Sequence, residues 1–392
     1  MRCMSLLATA LLVAAGAAAA SPTTAQEVGV TDTAVRIGQL GALTGPGYLY
    51  GKIIMDGAEI VYRETNKAGG IHGRKIETVR QDDRCDPAAA IAAAKKLIFD
   101  DKVFMIHGGG CTNASVGALP EIKAANIPWV VFASVGDSLT SPPSPYIFTT
   151  ALTASIESAS QLEFALQKGA KRIGIISQRD AWGRSRYQPL MEALKKKGIT
   201  PVADEEIIGE ANDATPQALR LQAANADAVL MVIYPKAAAA FLRDAHKIGY
   251  KPLAVGQTAL GDQPVLTRQV GIPEAMGNKI AISHVRYMPA DPEMEQWRKL
   301  FAQYFPGETM SLYHILGIAS AKVVVEVLKR AGKNLTRESF RAEMTKLANF
   351  DTGIYPGPIT CTEQDHQCHK SAAWVTLVDG KMTTISATTV SR

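Results

Sequence analysis

Short apolar runs alternate with amphipathic helical stretches along nearly the whole chain, and this alternation restricts the fold more than any other feature. The run 35–38 reads as a strand ending in a glycine-rich loop, 41–51, and a helix follows to about Lys67, stopped by Gly69-Gly70. Strands are predicted at 75–80, 103–107 and 128–132, with helices at 87–99 and 113–125 between them. The rhythm then restarts, with strands at 172–177, 200–206, 228–234, 253–255 and 280–285 and helices at 157–168, 182–197, 215–224 and 236–248. Further helices are predicted at 293–304, 311–329 and 337–347, and a hairpin is predicted around Asp379-Gly380. Strand–helix alternation with short loops implies parallel sheets flanked by helices. The class is α/β, with two doubly wound parallel-sheet lobes, and the Ser-Pro-Pro-Ser-Pro run at 141–145 marks a first crossover.

Length and charge fit two globular domains. The chain has 392 residues, 47% hydrophobic and 20% charged, which excludes a disordered chain. A net charge of +5 without a basic stripe argues against a nucleic-acid partner, and Lys195-Lys196-Lys197 reads as a solvated helix end. Aromatic residues make up only 6% of the chain, so an aromatic at a loop mouth carries information.

Residues 1–25 read as an export signal: Arg2, an apolar run over 6–20, and small-residue cleavage sites after Ala20 or Ala25. The run is too short for a spanning helix, for which about 20 residues are needed. The expected location is the periplasm. Export leaves Cys85, Cys111, Cys361 and Cys368, an even set that favours disulfides in an oxidising compartment. Proximity pairs Cys361 with Cys368 and leaves Cys85 with Cys111. A metal site using His366 and His369 beside Cys368 is the rival.

In open parallel sheets ligands bind beyond the carboxyl ends of strands. Loops 41–51, 108–115 and 132–136 sit at such ends, and their small residues and helix N-termini suit a carboxylate.

A longer series has a familiar order. It runs through Val35-Arg36-Ile37-Gly38, Thr44-Gly45-Pro46, Gly51, Gly57-Ala58, Asn66, the stretch 69–74, the stretch 82–87, the stretch 94–97, Cys111-Thr112, Ser115, Pro120 and Ile127-Pro128. The later Trp182-Gly183, Tyr187, Tyr234 and 242–245 extend it. The chain resembles the Leu/Ile/Val-type periplasmic substrate-binding proteins of ABC transporters, of the type I bilobed fold. The resemblance implies two lobes joined by a hinge that close on a small molecule and present it to membrane permease subunits, with the chain acting as a monomer and without a cofactor. It places lobe one at 30–150 plus 285–354 and lobe two at 151–284 plus 355–392. It also implies a Cys85–Cys111 disulfide, which several relatives carry at these positions.

The resemblance carries ligand contacts onto Tyr50, Thr112, Ala133 and Ser134 in the first lobe and onto Trp182 and Tyr234 in the second. Relatives that bind amino acids place an acid after the strand at 253–255 to meet the ligand ammonium, whereas this chain has Gln257-Thr258. A buried ammonium without a counter-charge costs several kcal/mol. An organic acid without an amino group, such as a benzoate- or cinnamate-like compound, is therefore the expected ligand. Trp182, Tyr234 and Tyr50 would form its walls, with Arg179, His284 and Arg286 as further donors. The alternatives are a branched-chain or other amino acid or amide, and a sensor that signals to a membrane receptor through the same closure.

Catalysis is not expected. His107-Gly108-Gly109-Gly110 resembles an oxyanion loop, but Ser134 lacks the Gly-x-Ser-x-Gly elbow that such chemistry needs. Asp82 and Asp83 are adjacent on a strand and so face opposite ways. No Walker loop or dinucleotide fingerprint is present.

Overall fold

The computed structural model describes residues 27–45 and 47–389, so the segment 1–25, read from sequence as an export signal, lies outside the described residues. The first sheet is built from β1 (Ala34–Gly41), β2 (Lys75–Asp82), β3 (Met105–Gly108), β4 (Trp129–Val131) and β5 (Ile147–Thr149). Its order is β2-β1-β3-β4-β5, and every pairing is parallel. Between these strands run α1 (Lys52–Lys67), α2 (Pro87–Lys95) and α3 (Thr112–Ala124).

The second sheet contains β6 (Ile173–Gln178), β7 (Ala203–Ile207), β8 (Ala228–Val232), β9 (Leu253–Gly256), β10 (Lys279–Ser283), β11 (Ser371–Val378) and β12 (Lys381–Thr389). Its order is β12-β11-β10-β9-β8-β6-β7. The strands are parallel from β7 to β10, and β11 and β12 add antiparallel at the edge. Its helices are α4 (Ala154–Gln167), α5 (Ala181–Lys196), α6 (Thr215–Ala223), α7 (Pro235–Lys247) and α8 (Gln263–Val270). The remaining helices, α9 (Glu295–Tyr304), α10 (Leu312–Arg330) and α11 (Arg337–Thr345), return to the first lobe, where α10 packs along α1.

Each sheet separates two apolar cores. On the first, Ile37, Val130 and Phe148 meet α1 and α10, while Leu40, Ile106 and Val131 meet α2 and α3. The periodicity predicted most of these elements. It missed β5, whose three residues are too few to show a period. It also missed α8, although Asp262 caps its start by accepting from the Val265 N–H and Gly271 ends it in the left-handed region at φ 72°.

The chain passes between the lobes three times: at 150–153, at 284–287 and before β11. The third passage differs from the sequence expectation of residue 355. Tyr355, Ile359, Cys361 and Cys368 are buried in the same core as Phe148. The Thr149 N–H donates to the His366 carbonyl at 3.0 Å and the Cys368 N–H to the Thr149 carbonyl at 2.9 Å. Residues 366–368 therefore pair with the edge of the first sheet, 355–361 pack on its core, and the chain leaves that lobe only near Lys370.

A buried polar chain runs through these passages. The Tyr62 hydroxyl meets His107 Nδ1 at 2.7 Å, His107 Nε2 meets Ser320 Oγ at 2.8 Å, and Ser320 Oγ meets Thr150 Oγ1 at 2.8 Å. His369 Nδ1 lies 3.1 Å from the Thr150 carbonyl oxygen. Burial pushes His107 down to about 3, and burial with the neighbouring His284 pushes His369 down to about 3. These imidazoles stay neutral in the folded protein, while in the unfolded chain they titrate near 6.5. Stability is thus complete above about pH 6.5 and falls toward pH 4, because the unfolded chain gains protons that the native state refuses. Asp83, pushed up to about 6 by burial, and Glu157, also raised by burial, act in the opposite sense over part of this range, against the lowered imidazoles of His107, His284, His314 and His369. Denaturant titrations at pH 7 and pH 5 should show the protein weaker at pH 5. Greater stability at pH 5 would contradict the assignment of neutral buried imidazoles.

Candidate ligand-binding cleft

The loops that follow the strand ends of both sheets meet around one cavity of about 490 Å³. This is where parallel sheets present ligand sites, because backbone N–H groups and helix N-termini are exposed there. The first lobe contributes Tyr50 after β1, Cys111 and Thr112 after β3, and Ala133 and Val135 after β4. The second contributes Trp182 and Arg186 from α5, Tyr234 after β8, Thr258 after β9 and His284 after β10. The first turns of α10 add Leu312, Tyr313 and Leu316.

Disulfide and carboxylate anchors shape the first-lobe wall. Cys85 pairs with Cys111, and both line the cavity. Gly47 rests on this bridge, since a Cβ there would lie 2.0 Å from Cys85 Sγ. Asp82 accepts from the Leu43 N–H at 2.8 Å and from Thr44 Oγ1 at 2.6 Å, which ties down the glycine-rich loop. Asp83 instead accepts from the Cys85 N–H at 2.9 Å, so the two acids serve separate turns. Cys361 pairs with Cys368. The metal alternative there loses its thiolates, because both sulfurs are consumed in the bridge, while His366 Nδ1 and His369 Nδ1 are engaged by backbone carbonyls.

Aromatic rings form the other walls. Trp182 stacks on Tyr234 with ring centroids 3.9 Å apart, and Tyr50 meets Tyr313 edge-on at 5.3 Å. Asp180 caps α5 by accepting from the Gly183 N–H at 2.8 Å. A side chain at Gly183 would place Cβ 1.9 Å from the Gln178 carbonyl oxygen, so glycine lets the helix start close to β6 and aims Trp182 at the cleft.

Arg186 supplies the charge. It is 5% exposed, lines the cavity, and its guanidinium carbon lies 4.1 Å from the Trp182 ring centroid. Its Nε faces Glu157 Oε2 at 3.7 Å, and Nη1 donates to Ser185 Oγ at 3.4 Å. Glu157 is fully buried behind Thr258, whose hydroxyl donates to Oε1. Burial pushes the Glu157 carboxyl up against the opposing pull of Arg186, and burial likewise lowers Arg186. Among the described residues no Asp or Glu lines the cavity. His284 Nδ1 has no hydrogen-bond partner, and burial together with Arg186 pushes this imidazole down to about 4, so it is neutral at neutral pH.

Of the residues singled out from sequence, Tyr50, Thr112, Ala133, Trp182, Tyr234 and His284 border the cavity. Ser134 does not: it is fully buried, with its N–H donating to the Gly109 carbonyl at 2.9 Å. Gln257 is 1% exposed and turns inward toward Gln161 Oε1 at 3.3 Å, leaving its neighbour Thr258 on the wall. Arg179 is exposed on the turn before α5, away from the cavity lining. Arg286 is held by the Tyr355 carbonyl at 2.9 Å and by Asp351 at 3.2 Å, also outside the cavity. Sequence reasoning missed Arg186 and Tyr313. Arg186 was within reach, since it follows Trp182 by one helical turn and shares its face. Tyr313 gave no signal, because it lies far along the chain in a helix assigned to packing.

Two α/β lobes with a cavity between their strand ends define a bilobed small-molecule receptor. The chain belongs to the periplasmic binding protein family, whose model matches residues 34–381. It is 26% identical over 333 residues to a protein of Brucella abortus named Leu/Ile/Val-binding protein homolog 7, covering 82% of this chain and 81% of that one. A branched-chain amino acid ABC transporter protein from Thermus thermophilus, solved with bound valine, superposes with a TM-score of 0.78 at 20% identity, covering 92% of this chain and 98% of that one. A fatty acid ABC transporter substrate-binding protein from Thermomonospora curvata superposes with a TM-score of 0.76 at 23% identity, covering 92% and 93%. Among the described residues no helix is long and apolar enough to cross a membrane.

Proposed function

We propose that this protein is the solute-binding component of an ABC importer, a periplasmic monomer that closes around a small organic acid with an aromatic body and delivers it to the permease. The observation that carries this reading is the combination of Arg186 with an aromatic lining that holds no carboxylate. A ligand carboxylate meets a guanidinium and the N-terminus of α3 at Thr112, while Trp182, Tyr234, Tyr50 and Tyr313 take the ring. Residues of both lobes touch the same cavity, so a bound ligand favours the closed arrangement by its greater affinity for it.

A zwitterionic amino acid is the rival, in keeping with the names of several relatives. The observation in its favour is Glu157, whose Oε2 has no hydrogen-bond partner and which contacts the cavity wall through Thr258. Against it, Arg186 already answers that charge.

Calorimetry with benzoate and cinnamate against leucine, isoleucine and valine decides between them. The expected result is binding of the aromatic acids and weak or no binding of the amino acids. Trp182→Ala should then weaken the aromatic acids by at least about tenfold, from loss of a stacking partner, with an unchanged melting temperature. Tight leucine binding with no response to aromatic acids would overturn the reading.

A further inference from the structure

The aromatic cavity is not closed on all sides. Thr112, Asn113, Val135 and Ser185 line it and also line a second cavity of about 580 Å³. The second cavity continues between the lobes over Pro87, Val116, Gly117, Gly136 and Ala154. Both lobes contribute to it: α2, α3 and the loop after β4 from one, and the first turns of α4 and α5 from the other. The shared residues therefore border both cavities, at the place where the two adjoin in the cleft. Gly117 and Gly136 let its lining segments pack closely, since a Cβ at Gly117 would lie 2.8 Å from Pro87 Cβ and one at Gly136 3.1 Å from Thr112 Cγ2.

We infer that the ligand is an elongated monocarboxylate, whose head and ring occupy the aromatic cavity and whose neutral tail passes Thr112 and Ser185 into the second cavity. This rests on the organic-acid reading above and narrows it. The tail is neutral because Asp137 lines the second cavity, where its carboxylate accepts from Ser155 N–H at 3.1 Å and from Ser155 Oγ at 2.6 Å. A second carboxylate would face that charge in a partly dry cleft. The apolar part of the wall, with Val116 left 38% exposed, gains cover from a hydrocarbon tail.

The test is calorimetry of the full mature protein with benzoate, 4-ethylbenzoate, 4-butylbenzoate and 4-hexylbenzoate, in which head and ring stay fixed and only the tail lengthens, and with a counterpart of the longest acid that carries a second carboxylate at the end of its tail. Affinity should rise by roughly fourfold for each added methylene, the value for a buried CH₂, and the second carboxylate should cancel most of the gain. Val116→Trp fills the second cavity from α3 and Ser138→Trp fills it from the loop after β4. Each should remove the gain with length while leaving benzoate within about twofold of its original affinity. A flat length series in which benzoate still binds would overturn the inference and leave the organic-acid reading standing. Equal losses for short and long acids in both variants would also overturn it. Failure of every acid to bind would overturn both.

Discussion

Arg186→Ala should lower the affinity for an aromatic acid by roughly a hundredfold, because a charge-assisted pair with a carboxylate is lost in a largely dry cavity. The effect has two physical parts. The ligand carboxylate loses its cation, and Glu157, which is fully buried, loses the charge opposite it. An uncompensated buried carboxylate costs about 3–5 kcal/mol if it stays ionised, so Glu157 takes up a proton instead, in the direction burial already pushes it. Arg186→Lys should not restore binding, since a lysine ammonium cannot present the planar fork or stack on Trp182. Glu157→Gln separates the two parts. It leaves Arg186 in place with its charge less shared, so an acid should bind at least as well as in the unaltered protein. Calorimetry with a melting curve for each variant reads both quantities. An Arg186→Ala variant that keeps most of the affinity would remove the guanidinium from ligand recognition.

Gly317→Ala should destabilise the protein by about 3 kcal/mol, the upper range for forcing a group into a packed contact. At an exposed helix interior the same change would stabilise by up to about 1 kcal/mol, so the sign itself is diagnostic. Here α10 crosses α1 with backbone against backbone. A Cβ on Gly317 would lie 1.9 Å from the Ile54 carbonyl oxygen, and one on Gly57 would lie 2.0 Å from the His314 carbonyl oxygen. Neither neighbour is a side chain that can rotate away, so the helices must part. That movement would also displace Leu312, Tyr313 and Leu316, which α10 carries into the cavity, and ligand affinity should fall along with stability. Urea unfolding measures the first effect and calorimetry the second. A variant as stable as the parent would show that the two helices are not held at this distance.

Most of the lobe architecture is readable along the chain. The period of β1, α1, β2 and the elements after them is local, because each buries one face or one stripe and repeats apolar residues accordingly. The third passage between lobes was not readable at its true place. The segment 355–369 has no regular element, and its position on the first sheet depends on pairing with Thr149. The aromatic part of the site was also accessible, because Trp182 and Tyr234 stand at helix starts in a chain poor in aromatics. Gln257 was expected to face the ligand from its place after β9. Its amide is drawn inward toward Ser158 and Gln161 of α4, partners that only the packed lobe brings near.

The sequence by itself determined the α/β class, the order of most strands and helices and the loops that carry small residues at strand ends. All of these depend on residues close together in the chain. Only the tertiary structure decided the charge of the site. Glu157 lies on α4, Arg186 on α5, Thr258 after β9 and Tyr313 on α10, and they meet because three passages between the lobes fold distant segments onto one cleft. Whether a guanidinium is solvated or buried against a carboxylate depends on what surrounds it, and that is set by packing across the two sheets rather than by the residues beside it in sequence.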